Sequence, residues 1–173
     1  QNGWIDIKDW EAIKEVNKDT TGLWFFNSGP LAGASQPHRH IQLLRRDPSE
    51  LSCPREKWIL DFDNVNYKNQ RFYKNIILKK FSKTLNKENI HEIYKDLSYK
   101  LGLGEPEIDK KPRYPYNLIF TNHWMALIKR KTDNLYGISV NALGFAGYIL
   151  VTEKSDINYL KKFGPEKLLE NFL

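Results

Sequence analysis

Two apolar segments separated by only two residues most constrain the fold of this chain. Residues 116–121 and 124–131 are rich in aromatic and branched side chains, and only Asn122 and His123 lie between them. Such segments are typical of buried β-strands. Because so short a connection can join strands only in antiparallel orientation, the sequence predicts an antiparallel β-sheet.

A second pair of predicted strands lies nearer the start of the chain. Residues 23–26 are continuously apolar, residues 38–45 follow as the next strand, and the loop between them is rich in Gly, Pro and Ser. We expect these two strands to form another antiparallel hairpin. Farther along, residues 137–147 predict a small-residue loop or a bent strand, and residues 145–152 predict a further strand.

Helices are predicted where apolar residues recur about every 3.6 positions. Residues 7–17 have this spacing and follow Asp6, which is suited to cap the helix, and residues 87–101 have it and follow Asn86. A short helix from residue 155 or 156 is expected to end near Gly164, and Pro165 suits the first turn of a last helix. Helices combined with an antiparallel sheet predict an α+β fold.

Length and composition predict one domain. The chain has 173 residues, of which 40% are hydrophobic, and this suffices for a core within a single domain over residues 1–173. Residues 47–85 show little periodicity, and we expect an irregular, mobile insertion there. We expect no membrane segment, since no apolar run approaches about 18 residues. We expect no signal peptide, since the chain starts with neither a basic region nor an apolar one. The single cysteine, Cys53, excludes an internal disulfide and favours the reducing cytoplasm.

The positive charge of the chain is concentrated in one stretch. The net charge is +6, and residues 64–87 contain seven Lys or Arg and no acidic residue. A basic stretch can attract nucleic acid, a membrane surface or a polyphosphate, but it can equally be a solvated surface. We expect no nucleic-acid partner, because no recognisable nucleic-acid-binding module accompanies the charge. Lys129, Arg130 and Lys131 could likewise neutralise polyphosphate or form a solvated strand end.

Three polar side chains are predicted to share one face of the strand over residues 38–45. Alternate residues of a strand point to the same side, so His38, His40 and Gln42 point one way and Arg39 and Ile41 the other. A neutral imidazole is a competent nucleophile near neutral pH. A second imidazole can orient the first or donate a proton to a leaving phosphate.

The loop that precedes these histidines is a candidate phosphate-binding loop. Its residues 29–36 can offer backbone N–H groups to an anion, and the Ser35 hydroxyl and the Asn27 amide lie nearby in sequence. The loop and the two imidazoles together favour phosphoryl chemistry.

Three other interpretations of the two histidines remain open from spacing alone. The His-x-His pattern could provide two metal ligands, but the third would have to be His91, His123, Cys53 or a carboxylate, none at an informative spacing. The histidines could be ordinary hydrogen-bonded strand residues. The strand could also be a scaffold for nucleic-acid binding through the basic stretch.

Two long sequence blocks carry a specific family resemblance. Residues 25–30 read FFNSGP and residues 33–42 read GASQPHRHIQ; later, residues 116–121 read YNLIFT, residues 124–125 read WM and residues 137–147 read GISVNALGFAG. In this order they resemble the signature of diadenosine tetraphosphate phosphorylases, also called ATP adenylyltransferases, of the histidine-triad-like superfamily. The resemblance implies a histidine-triad-like antiparallel sheet with flanking helices.

The resemblance also implies a reaction. His40 would attack the α-phosphorus of a diadenosine polyphosphate, ATP would leave, and AMP would stay on His40 as a phosphoramidate. Inorganic phosphate would then release ADP. Gln42 stands where the superfamily's hydrolases have a third histidine, which points to transfer, and His38 would support the site. The resemblance assigns phosphate binding to Asn27, Gly33, Ala34, Ser35 and Gln36.

The resemblance leaves some points open. It assigns no metal ligand, although Mg²⁺ could accompany the nucleotide. Lys129 stands where the family leads us to expect Pro, and family members extend upstream of Trp4, so we expect a C-terminal fragment that lacks upstream strands. Alternative activities are a related sugar-phosphate or ADP nucleotidyltransferase and a dinucleotide hydrolase. A nucleotide-binding regulatory remnant is the non-enzymatic alternative.

Overall fold

The fold is built on a five-stranded antiparallel sheet, seen in a computed structural model that describes residues 3–61, 70–81 and 87–173. Its strands, in chain order, are β1 (Gly22–Asn27), β2 (Gln42–Arg45), β3 (Ile76–Lys80), β4 (Tyr116–Phe120) and β5 (Trp124–Lys129). Across the sheet the order is β2-β1-β4-β5-β3, and every neighbouring pair is antiparallel. The predictions of both hairpins and of an α+β fold are therefore confirmed.

In the part of the chain that the structure describes, six α-helices and a small second sheet surround the five strands. The helices are α1 (Ile7–Val16), α2 (Glu56–Leu60), α3 (Gln70–Asn75), α4 (Lys87–Lys100), α5 (Ala142–Ala146) and α6 (Ile157–Asn171). The second sheet pairs β6 (Asn134–Leu135) with β7 (Ile138–Ser139). Among the described residues, no helix is both long enough and apolar enough to cross a membrane.

The two faces of the large sheet bury separate hydrophobic clusters, because successive residues of a strand point to opposite sides. Leu23 and Phe25 of β1 pack with residues of α2, α5 and α6, on what we call the α5–α6 face. Trp24 and Phe26 pack with residues of α1 and α4, on the α1–α4 face. A strand that is buried on both faces has a continuous run of hydrophobic residues in its sequence, and residues 23–26 have such a run.

Helix α1 begins where the sequence predicts. The Asp6 carboxylate accepts hydrogen bonds from the N–H groups of Lys8 and Asp9, and the Asp9 carboxylate accepts one from the Asp6 N–H. This reciprocal capping arrangement satisfies N–H groups that have no partner within the helix. Trp10 and Ile13 are buried against the sheet. The cap predicted for α4, Asn86, lies outside the described residues.

The predicted strand over residues 145–152 is wrong. Asn141 caps α5 by accepting a hydrogen bond from the Leu143 N–H, and the helix ends at Gly147, whose φ is 109°. This left-handed conformation is open to glycine and terminates helices. Two of the residues expected in the strand, Phe145 and Ala146, are thus helical. The predicted break at Gly164 is confirmed, since its φ of 79° interrupts α6.

Regular structure lies within residues 47–85, the stretch for which the sequence predicts an irregular, mobile insertion. Helices α2 and α3 lie within it, and β3 pairs with β5 along its whole length, from Ile76↔Ile128 to Lys80↔Trp124. The half-buried side chains of Ile77 and Leu78 pack against opposite faces of the sheet. The part of this stretch at residues 62–69 and 82–86 lies outside the described residues.

Candidate functional site

The two histidines of the motif lie just before β2, not within it. The strand begins at Gln42, so the prediction of a strand from residue 38 is wrong for residues 38–41. The predicted juxtaposition nevertheless occurs, because the ring centroids of His38 and His40 are 5.3 Å apart. Gln42 pairs with Phe25 in the sheet. Directly paired residues share a face, so Gln42 lies on the α5–α6 face.

The His40 ring is oriented by the backbone of the same segment. Its Nδ1 lies 3.4 Å from the carbonyl oxygen of His38. A carbonyl can only accept, so this contact favours the tautomer that carries its proton on Nδ1. In that tautomer Nε2 holds the free lone pair and is the nucleophilic atom. The His40 ring is half-buried, whereas His38 is exposed.

The loop before the histidines forms a 3₁₀ turn, Pro30–Ala32, that uses most of its own N–H groups. The N–H groups of Ala32 and Ala34 donate to the Gly29 carbonyl, and that of Gly33 donates to the Pro30 carbonyl at 2.8 Å. Backbone N–H groups already paired in this way are not directed at an anion. The N–H groups of Ala32, Gly33 and Ala34 are therefore used within the turn, and phosphate binding by Gly33 and Ala34 stays a prediction.

Ser35 and Gln36 are the exposed part of the same loop. Neither residue makes a hydrogen bond to another described residue, and both side chains are exposed. They are followed directly by Pro37 and His38. Of the predicted phosphate-binding positions, these two keep donor groups available beside the histidines.

Gly33 fixes the turn against the start of α5. Its φ is +83°, and a Cβ built there would lie 2.7 Å from the Asn141 Cβ and 2.9 Å from the Asn141 Cα. Only glycine combines a left-handed conformation with so close an approach of two backbones. The contact places the loop of the site directly on the residue that caps α5.

Asn27 lies in a buried network below the turn rather than on the surface. Its Oδ1 accepts hydrogen bonds from Asn117 Nδ2 at 2.8 Å and from the Ala142 N–H at 2.9 Å. Asn117 Nδ2 also donates to the Ala32 carbonyl at 2.7 Å. Asn27 thus joins β1, β4 and the start of α5, whereas its predicted contact with phosphate stays a prediction.

Arg130 completes this network, a role that its position between two lysines in the sequence does not predict. Its guanidinium donates to Asn117 Oδ1 and to the carbonyls of Thr132 and Val140, the latter two at 2.7 and 2.8 Å. The Phe145 and Phe172 rings lie 5.1 and 5.3 Å from the guanidinium carbon.

Arg130 is therefore not a solvated strand end. Only 2% of the residue is exposed. Burial lowers the pKa of Arg130 to about 9, which leaves the side chain cationic at neutral pH. Two aromatic rings and three oxygen acceptors take the place of water around the charge.

Arg39, between the two histidines, is directed toward α1. It donates from Nη1 to the Trp4 carbonyl at 2.6 Å and from Nη2 to Asp6 Oδ2 at 2.9 Å. Nη2 also lies 3.2 Å from Asp9 Oδ2. Partial burial opposes ionisation of Asp6, but hydrogen bonds from Arg39 and from backbone N–H groups hold the pKa of this carboxyl below its usual value.

The two histidines are not part of a metal-binding cluster within the described residues. Over residues 3–61, 70–81 and 87–173, no group of three or more His, Cys, Asp and Glu side chains could hold a metal ion. Cys53, one of the candidate third ligands, is buried, and burial raises the pKa of its thiol to about 11.

Two family models match consecutive parts of the chain. The Ap4A phosphorylase N-terminal domain matches residues 1–59, and the ATP adenylyltransferase C-terminal domain matches residues 60–172. The chain belongs to the Ap4A phosphorylase family. Ap4A is diadenosine tetraphosphate, and this is the family that the sequence motifs predict.

The boundary between the two matches of the Ap4A phosphorylase family does not divide the fold. It falls within α2, and the strands on either side belong to one sheet: β1 and β2 come from the first match, and β3, β4 and β5 from the second. Asn27 lies in the first match, and its partner Asn117 lies in the second. The buried network therefore joins the two matched parts.

Solved structures of yeast Ap4A phosphorylase Apa2 have a similar fold. The Apa2 structure matches with a TM-score of 0.61 at 16% identity, over 99% of this chain and 62% of Apa2. Apa2 in complex with Ap4A matches with a TM-score of 0.67 at 18% identity, over 99% and 63%. Apa2 in complex with AMP matches with a TM-score of 0.62 at 17% identity, over 96% and 61%.

The likeness to Apa2 confirms the α+β fold. The chain spans 62% of the Apa2 chain in the first of these matches. No curated protein sequence matches this chain.

Proposed function

We propose that this protein catalyses the phosphorolysis of diadenosine tetraphosphate to ATP and ADP through a covalent AMP intermediate on His40. Membership of the Ap4A phosphorylase family carries the proposal. The geometry supports it, since the paired imidazoles of His38 and His40 lie between the exposed Ser35–Gln36 pair and the start of β2.

In the first step, His40 Nε2 attacks the α-phosphorus of the dinucleotide. A P–N bond forms, the bond between the α-phosphorus and the bridging oxygen breaks, and ATP leaves with the electron pair of that bond. The contact between His40 Nδ1 and the His38 carbonyl holds the ring in the nucleophilic tautomer. It also places an acceptor next to the positive charge that develops on the imidazole. His38, exposed beside His40, is the candidate donor of a proton to the leaving phosphate.

In the second step, inorganic phosphate attacks the same phosphorus. The P–N bond breaks, ADP is released, and the neutral His40 imidazole is restored. Gln42 follows on β2 and is half-buried. An amide there can donate a hydrogen bond to the oxygens of the transferred group, but cannot take a proton from water. We therefore propose that Gln42 favours phosphate over water as the acceptor.

The nucleotide partners of the proposal follow from the relative. Yeast Apa2 has been solved in complex with Ap4A and with AMP, and we extend both ligands to this protein, together with ATP, ADP and phosphate. We propose that Mg²⁺, where required, binds the polyphosphate of the nucleotide. We place the reaction in the cytoplasm, with which the free Cys53 is compatible.

Product analysis of the full-length protein tests the proposal. Incubation with Ap4A and phosphate is expected to yield ATP and ADP in equal amounts, and omission of phosphate is expected to prevent turnover. His40→Ala is expected to abolish both turnover and acid-labile AMP labelling. His123→Ala, which alters an exposed histidine, is the matched control and is expected to keep both.

Other products would point to other functions. ATP and AMP formed without phosphate would identify a hydrolase. Binding of Ap4A without any turnover would identify a nucleotide-binding protein. Retained AMP labelling in His40→Ala would overturn the assignment of the nucleophile.

A further inference from the structure

We propose that Arg39 is a positioning residue that holds His40 in its reactive orientation by anchoring the segment between the two histidines to α1. The proposal rests on the proposed function, since it gives His40 the role of nucleophile. Residues 38–41 precede β2, so the ladder that begins at Gln42 does not orient them. The His38 carbonyl that orients the His40 ring belongs to this same segment, so the segment itself needs a contact with the rest of the fold.

The guanidinium of Arg39 provides this contact. It reaches the Trp4 carbonyl at 2.6 Å and the Asp6 carboxylate at 2.9 Å through two different nitrogens. A planar guanidinium that donates in two fixed directions defines both the position and the rotation of the side chain. A lysine ammonium, which is a point charge on a flexible chain, defines only a distance.

The acceptors of Arg39 are themselves held firmly. The other carboxylate oxygen of Asp6 caps α1 by accepting hydrogen bonds from the N–H groups of Lys8 and Asp9, at 2.9 and 3.2 Å. Trp4 is 7% exposed, and its indole N–H donates to the Asp109 carbonyl at 2.7 Å. The segment that contains the histidines is therefore tied to a rigid part of the fold.

The placement of Arg39 distinguishes anchoring from direct phosphate binding. Ile41, two residues later, packs into the cluster of the α1–α4 face, whereas Gln42 lies on the opposite face. Arg39 contacts α1 on that same α1–α4 side. Its single positive charge faces two carboxylates, Asp6 and Asp9. A cation compensated in this way is poorly suited to attract a phosphate.

Three variants and one control test the proposal through the rate of AMP transfer to His40. Arg39→Met removes both hydrogen bonds, and Arg39→Lys keeps the charge but not the planar pair of donors. Asp6→Asn keeps the cap but removes the nearer carboxylate acceptor of Nη2, leaving Asp9 Oδ2 at 3.2 Å. Lys100→Met is the control, since it removes an exposed ion pair to Asp96 at 2.8 Å on α4. Thermal unfolding verifies that each variant is folded.

We expect Arg39→Met to slow formation of AMP-His40 by about 100-fold with KM changed less than about twofold, as for a displaced reactive group. Arg39→Lys and Asp6→Asn are expected to slow it by smaller factors, and Lys100→Met is expected to leave it unchanged. A large rise in KM for Arg39→Met, with no effect of Asp6→Asn, would show that Arg39 binds phosphate directly and would overturn the proposal. If Arg39→Met does not fold, the rate of AMP transfer to His40 in Asp6→Asn still tests the proposal.

The imidazole NMR signals separate failure of this inference from failure of the proposed function. Asp6→Asn is expected to shift the ¹⁵N and ¹H signals of His40, while those of His123 stay in place. If the wild-type protein forms no AMP-His40, the proposed function fails, whereas the shift still reports the anchoring. Unchanged His40 signals in both Asp6→Asn and Arg39→Met would overturn the inference whatever the reaction.

Discussion

The side-chain amides of Asn27 and Asn117 face each other across β1 and β4, with Asn117 Nδ2 donating to Asn27 Oδ1 at 2.8 Å. The same nitrogen also donates a hydrogen bond to the Ala32 carbonyl, and the same Asn27 oxygen accepts one from the Ala142 N–H. Asn117 is fully buried, and Asn27 is 4% exposed. One pair of amides therefore joins the sheet, the turn before the histidines and the start of α5.

The first prediction concerns the donor of this pair. Asn117→Asp has nearly the same shape, but it replaces the Nδ2 donor with an oxygen that faces Asn27 Oδ1 and the Ala32 carbonyl. Unpaired, facing acceptors are costly when buried, so we expect faster hydrogen exchange over residues 29–34. Mass spectrometry of peptides from this turn measures it. Asn134→Asp, an exposed position, is the control, and equal exchange in both variants would contradict the prediction.

The second prediction concerns the buried cation. Arg130→Met leaves Asn117 Oδ1 and the carbonyls of Thr132 and Val140 without the donor that they share. We expect the free energy of unfolding in urea to fall by about 3 kcal/mol, since each buried group without a partner costs about 1–3 kcal/mol. Arg113→Met, at a side chain that is 64% exposed, should change it by less than about 0.5 kcal/mol. Similar losses in both variants would be evidence against the role of the network.

The third prediction compares two left-handed glycines. Gly33 has a φ of +83° and would place a Cβ 2.7 Å from the Asn141 Cβ, whereas Gly102 has a φ of +74° and nothing within 4 Å. Gly102→Ala is expected to lower the free energy of unfolding by about 1 kcal/mol, because of the backbone conformation alone. Gly33→Ala adds a steric cost of about 1–3 kcal/mol. Denaturant unfolding of both variants measures the difference, and equal losses would show that the Asn141 contact is unimportant.

The fourth prediction is a pH dependence of thiol reactivity. Burial raises the pKa of Cys53 from 9.0 to about 11, and the thiolate is the reactive form. Below pH 9 this shift leaves about 100-fold less thiolate than in an exposed cysteine, and the 1% exposure of the side chain slows access further. Iodoacetamide labelling at pH 8 should be slow in the folded protein, should rise toward pH 11, and should be fast in guanidinium. Rapid labelling of the folded protein at pH 8 would contradict it.

The fifth prediction concerns the choice between phosphate and water and rests on the proposed function. Gln42→His introduces a group that can accept a proton from water, which an amide cannot do. We expect the AMP-His40 intermediate to yield more AMP relative to ADP, measured by chromatography at fixed phosphate. Asn122→His alters an exposed residue between β4 and β5, outside the proposed site, and provides the comparison. An unchanged product ratio would remove the proposed role from Gln42.

Local sequence signals were enough to predict several elements of the fold. The β4–β5 hairpin follows from two apolar runs and a minimal connection, α1 follows from its spacing and its Asp6 cap, and the break of α6 follows from Gly164. The motif that contains His38, His40 and Gln42 identified the family correctly. In each case the physical cause lies within a few residues along the chain.

Tertiary structure decided where those residues act, because the deciding contacts join distant parts of the chain. The histidines lie outside β2, and Arg39 between them is directed to α1, more than 30 residues earlier. Arg130 is buried because Phe145 and Phe172 enclose it, although its sequence neighbours are lysines. The Asn27–Asn117 pair spans 90 positions. No local pattern encodes such pairings, since burial and hydrogen-bond partners are properties of the assembled fold.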